Sequence, residues 1–208
     1  MTNREIIYIW DPLCGWCFSF SPVISRLIAE FSGNIGFEIV SGGLAIGERV
    51  GPVSQKAVFI KKRLPDVERI SGVKFGEKYI QLLDEGTSIN DSLPPSIAFN
   101  VFKSFQPANS LKFAASIQHA HFSEGKDLNN VKTFLEIAEQ FEVNKHGFME
   151  RYENPFYKDL TEEIFRMTKS WGMEKYPSLV EKQDAGIRVI QKGYATYDEL
   201  KEKIITML

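Results

Sequence analysis

The chain's only two cysteines, Cys14 and Cys17, stand three residues apart directly behind the apolar run Ile6 to Trp10. No other stretch constrains the fold as much. A near-continuous apolar run of this length reads as a β-strand covered on both faces. Residues 14 to 31 read as the helix that follows it, with Ile24, Leu27, Ile28 and Phe31 sharing one face. A strand that delivers the chain to a helix start puts the first sulfur at the helix N-terminus and the second one turn further on. Unsatisfied N–H groups and the helix dipole favour a thiolate there. Cys14 is therefore the candidate nucleophile: it attacks a disulfide to give a mixed disulfide, and Cys17 resolves it by closing the short ring. Gly15 and Trp16 occupy the positions that tune such a pair, and neither brings a charge.

Other uses of a C-x-x-C are weaker. A closed zinc site needs four ligands, and no second cysteine pair exists; the three histidines are His119, His121 and His146. His119 and His121 are two apart, which on a helix sends them to different faces, so no metal site is expected. A purely structural disulfide closing so small a loop constrains the unfolded chain little. Two unrelated buried thiols remain as the plain alternative.

At 208 residues, with 43% hydrophobic residues and a net charge of −2, the chain has material for a sizeable core and no basic excess directed at nucleic acid or an anionic membrane. No apolar run approaches the roughly 20 residues that span a bilayer. The opening Met1-Thr-Asn-Arg-Glu leads straight into the first apolar run with no signal-like core or cleavage site. A cytoplasmic location is expected, where thiols stay mostly reduced. Reduction or isomerisation of partner disulfides then fits better than bulk oxidation.

Phe37 to Val40 reads as a second strand, completing a right-handed parallel β-α-β unit. Pro22 falls inside the first helix and is expected to kink it. The middle carries helix-like patterns over Pro52–Leu64, Lys74–Leu83, Pro95–Phe105, Ser110–Phe122, Asn130–Phe141, Lys145–Tyr152 and Phe156–Trp171. In the fifth of these Val131, Phe134, Leu135, Ala138 and Phe141 form the clearest stripe, read as core. After Pro177 the period changes: Ser178–Glu181, a turn around Asp184-Ala185-Gly186 and Ile187–Tyr194 read as an antiparallel hairpin, and Thr196 starts a last helix to Leu208.

A β-α-β with C-x-x-C at its helix start, a helical insertion, and then X-Pro leading into β-β-α resembles the thioredoxin fold as elaborated in the DsbA family. Asp11-Pro-Leu-Cys-Gly-Trp-Cys17, Ser41-Gly-Gly-Leu44 and Glu124-Gly-Lys-Asp-Leu128 are similar to the cytosolic protein-disulfide isomerases and FrnE-like members of that family, and the match covers nearly the whole chain. The resemblance implies an α/β thioredoxin-fold domain formed by residues 1–45 and 172–208, with a large all-helical insertion over 46–171.

The resemblance also implies residue roles. Pro177 matches the proline that in these folds is cis and lies beside the redox pair, where the backbone before it, here Tyr176, pairs with an extended substrate. A simple turn is the alternative. Pro22 matches the proline of the active-site helix. Many relatives carry a buried acid six residues before the first cysteine; here that position is Tyr8, for which half-buried packing on a strand is the ordinary reading.

Three function classes follow. One is a thiol–disulfide oxidoreductase acting on protein disulfides or small thiols, with glutathione as a co-substrate and no cofactor beyond the Cys14–Cys17 disulfide. Another is a glutathione-dependent isomerase or transferase, against which the intact cysteine pair argues. The third is a non-catalytic adaptor that uses the fold as a binding platform, a function that survives loss of both thiols.

Overall fold

The structure is a computed structural model and describes residues 4–207. Met1 to Asn3, within the segment inspected for a signal, and Leu208, the expected end of the last helix, lie outside the described residues. Strand β1 (Glu5–Trp10) runs into helix α1 (Gly15–Phe31) and then β2 (Gly36–Ser41). A one-turn 3-10 segment at Gly47–Arg49 and the two-residue strand β3 (Gly51–Pro52) lead to α2 (Ser54–Ser71) and α3 (Glu77–Glu85). The two-residue strand β4 (Ile89–Asn90) pairs with β3. Helices α4 (Leu93–Phe105), α5 (Ser110–Phe122), α6 (Val131–Gln140), α7 (Lys145–Glu153) and α8 (Pro155–Ser170) follow. The chain then returns through β5 (Ser178–Gln183) and β6 (Gly186–Lys192) to α9 (Tyr197–Ile205).

The main sheet has the order β2-β1-β5-β6. β1 pairs parallel with β2, Tyr8 opposite Ile39 and Trp10 opposite Ser41, and antiparallel with β5, Ile9 opposite Ser178. Its central place explains its composition: Ile6 to Trp10 are all buried, so both faces of the strand must be apolar. The first strand and the cysteine helix thus lie beside the segment that begins just after Pro177, although more than half the chain separates them. This is the arrangement the resemblance implies, with α2 to α8 inserted between β2 and β5.

The inserted helices do not carry a wholly separate core. Trp10 of β1 meets Phe99 of α4 edge-on at 5.3 Å, and Phe102 stacks on Phe113 at 3.9 Å within one buried cluster that runs from the sheet into α4, α5 and α6. Burying each such aromatic contributes roughly 1.5–3 kcal/mol. The α6 stripe lies in this core, Phe134 and Ala138 fully buried and Val131, Leu135 and Phe141 half-buried against it. A second, smaller cluster sits under α2 and α3, where Leu64, Tyr79 and Leu83 meet Phe122.

Several boundaries differ from the sequence pattern, each for a local reason. Helix α2 passes through Pro65 and ends at Ser71, because Leu64 and Val67 keep one face buried and Gly72, at φ 76°, supplies the left-handed residue that stops it. Helix α3 starts only at Glu77: the Glu68 carboxylate accepts the Phe75 N–H, and the Gly76 N–H goes to the Phe122 carbonyl. Helix α4 starts two residues before the expected Pro95, since proline suits a first helical turn. The β3–β4 pair was not visible in the pattern, being only two residues long. Pro22 lies inside α1, which continues unbroken on both sides of it.

The last helix begins one residue later than expected, with Thr196 as its cap. The Glu199 N–H donates to Thr196 Oγ1 at 3.4 Å, and Glu199 Oε2 accepts the Thr196 N–H at 2.8 Å, a reciprocal pair that satisfies two orphan donors. Thr196→Ala is expected to cost about 1 kcal/mol, read as a lower urea midpoint with unchanged slope. An unchanged midpoint would show that the α1–α9 packing alone holds this helix.

Candidate active site

Cys14 is the N-cap of α1, with extended backbone at φ −90° and ψ 107°. Its sulfur takes the place that a serine or aspartate oxygen usually fills, accepting the Cys17 N–H at 3.3 Å. Negative charge on this sulfur is therefore met by a helix-end donor. As a thiol, Cys14 Sγ instead donates to the Tyr176 carbonyl oxygen at 3.6 Å. The strand-to-helix junction and the loop before β5 thus meet at one sulfur.

The two thiols differ in surroundings. Cys14 is 7% exposed and Cys17 0%. Burial pushes the Cys17 thiol well above its ordinary range; the Cys14 side chain beside it and the charge of Asp11 push in the same direction, while the Asp11 backbone opposes them. Tyr8, expected to be half-buried, is only 2% exposed, because β1 is covered on both faces. Burial, then the neighbouring Cys17 and Cys14, raise its phenol well above the ordinary value, so Tyr8 keeps its proton at neutral pH.

The remaining motif residues occupy defined places. Trp16 is partly buried and packs on Tyr194 at 5.4 Å. Gly15 lies against Phe75, which a Cβ at this position would approach to 3.3 Å, so the insertion closes directly over the helix start. Leu13, Gly15 and Trp16 form one wall of a cleft of about 440 Å³ whose other wall carries Phe59, Arg63 and Ile70 of α2. The Tyr176–Pro177 bond is cis. The Tyr176 ring lies over Gly42 and its hydroxyl accepts the Gly43 N–H at 3.1 Å, so Ser41-Gly-Gly-Leu44 forms the seat of this loop. Burial and the charge of Asp11 push the Tyr176 phenol up to about 12.

Asp11 was not assigned a role from sequence, and the structure brings it to the centre. It is 0% exposed, yet its carboxylate accepts from the Leu13 N–H at 2.9 Å, the Leu44 N–H at 2.8 Å and the Ser92 hydroxyl at 3.1 Å. An acidic residue directly after the apolar run Ile6 to Trp10, three before the first cysteine, was the available signal. His121 is buried and His119 exposed, on different sides of α5. Among the described residues no group of three or more His, Cys, Asp or Glu is arranged to hold a metal. None of the described helices is long and apolar enough to cross a membrane.

A family model described as Thioredoxin matches residues 7–202. No curated protein matches the sequence. Among solved structures, a protein from Nitrosomonas europaea assigned as a disulfide isomerase superposes with a TM-score of 0.86 at 22% identity, covering 98% of this chain and 97% of that one. The cytosolic disulfide reductase DsbM from Pseudomonas aeruginosa gives 0.80 at 21% identity over 98% of both chains, and it has also been solved with GSH. A 2-hydroxychromene-2-carboxylate isomerase gives 0.65 at 13% identity, covering 98% of this chain and 94% of that one. At these identities the likeness is one of fold.

Proposed function

The chain belongs to the thioredoxin family, and from that premise we propose that it is a thiol–disulfide oxidoreductase that reduces or isomerises disulfides of proteins or small thiols through Cys14 and Cys17. The observation that carries this reading is the asymmetry of the pair: Cys14 caps the helix and reaches the surface, whereas Cys17 is fully enclosed behind it. Cys14 thiolate attacks a substrate sulfur, forming the mixed disulfide and releasing the first substrate thiolate. Cys17 then attacks Cys14 Sγ, the Cys14–Cys17 bond forms, and the substrate leaves as a thiol carrying the proton that Cys17 gives up. In isomerisation the released thiolate attacks another disulfide of the same substrate, and the thiolate freed there displaces Cys14 from the mixed disulfide, so that the substrate is rearranged and the Cys14/Cys17 dithiol is regenerated.

Tyr176 and Pro177 are the proposed substrate-docking residues, because the Tyr176 carbonyl lies at the nucleophile, where an extended substrate would have to meet it. Gly15 and Trp16 set the shape of the cleft beside the sulfur. In this reading residues 1–45 with 172–208 carry the chemistry and residues 46–171 supply the facing wall. Glutathione is the proposed small co-substrate and the cytoplasm the proposed location, supported by the cytosolic reductase of the same fold that has been solved with GSH. No cofactor is invoked beyond the cysteine pair.

Equilibration of the protein with glutathione buffers of graded ratio, followed by acid quench and thiol counting, tests the reading. A single reversible two-electron transition between dithiol and Cys14–Cys17 disulfide is expected. Failure to form that disulfide at any ratio would reject the enzyme reading in favour of the adaptor.

A further inference from the structure

The cleft beside Cys14 carries groups that the dithiol exchange itself does not use. Helix α2 brings Phe59, Arg63, Asp66 and Ile70 to it at spacings of four, three and four residues, which places them on one line along the helix. The neighbouring line, with Ala57, Leu64 and Val67, is buried and holds the helix in place. Phe59 and Ile70 are left 63% and 48% exposed, so packing of the helix does not account for them. Tyr79 and Phe122 close the floor of the cleft, and Leu13 and Trp16 its near wall. Asp66 takes the Arg69 guanidinium at 3.2 Å, whereas Arg63 lies over the Phe59 ring at 5.4 Å. The α2 wall thus presents apolar surface with one unmatched positive charge, in a chain whose net charge is −2.

We propose that this cleft docks a polypeptide segment of the substrate that carries a bulky apolar side chain and, beside it, a carboxylate, with Phe59 and Ile70 receiving the first and Arg63 the second. The inference rests on the oxidoreductase reading above and names its substrate class. Three observations favour a polypeptide over glutathione as the disulfide substrate. From Phe59 to Ile70 the helix rises about 16 Å, which an extended chain covers in about five residues. The cleft walls are aromatic and aliphatic, and glutathione has no apolar side chain to set against them. Arg63 stands between Phe59 and Ile70 on the helix, so a carboxylate meets it alongside the apolar contacts rather than apart from them.

The two contacts differ in weight. An apolar side chain that fits a hydrophobic pocket discriminates by about 10-fold or more. Arg63 is exposed, so water and salt weaken its pull, and a factor of about 3 is expected at low ionic strength. Apolar character therefore sets which segment docks, and charge adjusts it. Docking adds no step to the chemistry. The Cys14 thiolate attacks one substrate sulfur and releases the first thiolate; Cys17 then attacks Cys14 Sγ, closes the Cys14–Cys17 bond and releases the second. One disulfide is reduced and one dithiol oxidised.

The test uses the reduced full chain in excess over symmetric disulfides of end-blocked heptapeptides, with acid quench and chromatography of the freed peptide thiol. The parent peptide has leucine on both sides of its cysteine and glutamate beyond each leucine, so either chain direction presents the same pattern. One control replaces the leucines by serine, a second replaces the glutamates by lysine, and glutathione disulfide is the third. Each rate constant is divided by that of dithiothreitol with the same disulfide, which removes differences in intrinsic reactivity. The parent should react about 10-fold faster than the serine control. It should react about 3-fold faster than the lysine control at low salt, a ratio that falls toward unity at about 0.5 M salt. Phe59→Ala should bring the first ratio below about 3, and Arg63→Glu should put the lysine peptide ahead of the parent. Both side chains are exposed, so both variants should keep the wild-type melting temperature. Equal rates for the parent and either peptide control in the wild type at low salt, or either ratio unchanged by its substitution, overturn the inference and leave the enzyme reading intact. Glutathione disulfide outpacing the parent overturns it as well. Release of no thiol from any of these disulfides, glutathione disulfide included, overturns the enzyme reading and the inference together.

Discussion

Cys17→Ala is expected to turn the protein into a trap. With the resolving thiol gone, Cys14 still attacks disulfides but no neighbour expels the partner, so mixed disulfides with cellular proteins or glutathione accumulate. The asymmetry comes from ring closure: a thiol held one helical turn away acts at an effective concentration that no free thiol matches. Cys14→Ser should trap nothing and should lose turnover of a disulfide substrate by at least about 10³-fold, since Cys17 at 0% exposure cannot replace the nucleophile. The same enclosure predicts that Cys14 alkylates much faster than Cys17 near neutral pH. Non-reducing gels after acid quench and thiol blocking, with the Cys14→Ser,Cys17→Ala double mutant as background, read the difference. If Cys17→Ala shows no adduct above that background while the wild type still binds its partners, the adaptor reading replaces the enzyme reading.

Gly42→Ala should be the most damaging single methyl group near the site. A Cβ at Gly42 would lie 2.1 Å from Cε1 and 2.3 Å from Cζ of Tyr176, far short of contact distance, and the ring cannot swing away without giving up the Gly43 N–H that its hydroxyl accepts. Gly42 is itself tied to β1, donating its N–H to the Trp10 carbonyl at 2.5 Å. The backbone on either side of the clash is thus held, and the expected cost is about 2–3 kcal/mol, in the range of core overpacking. Displacing Tyr176 also takes its carbonyl away from Cys14, so trapping by Cys17→Ala should weaken in the Gly42→Ala background. A double-mutant cycle separates this cause from a general defect: in a Tyr176→Ala background the cost of Gly42→Ala should fall below about 1 kcal/mol. An undiminished cost in that background would place the strain elsewhere.

Much of the site was legible in the sequence, because its chemistry is local. An apolar run ending just before C-x-x-C sets a strand, a helix start and two sulfurs within a single stretch of chain, and the helical dipole and N-cap geometry act within that stretch. The alternating pattern after Pro177 similarly announced the hairpin that β5 and β6 form. Helix ends were less accurate where they depended on distant partners: α2 continues past Pro65 because Leu64 and Val67 keep one face of it buried, and α3 starts late because the backbone at Gly76 is pressed against Ser123.

What the sequence by itself determined is the strand-helix junction, the order of the main-sheet strands and the longer helices, and the candidate cysteine pair, since each follows from hydrophobic period, turn residues and the spacing of two cysteines. Only the tertiary structure decided what surrounds that pair. Tyr176 reaches Cys14 across 162 residues of chain, Ser92 reaches Asp11 across 81, and Phe75 covers Gly15 from the insertion. These contacts arise where separate elements close on one another, and a buried carboxylate such as Asp11 looks like any other surface acid until that closure removes its water.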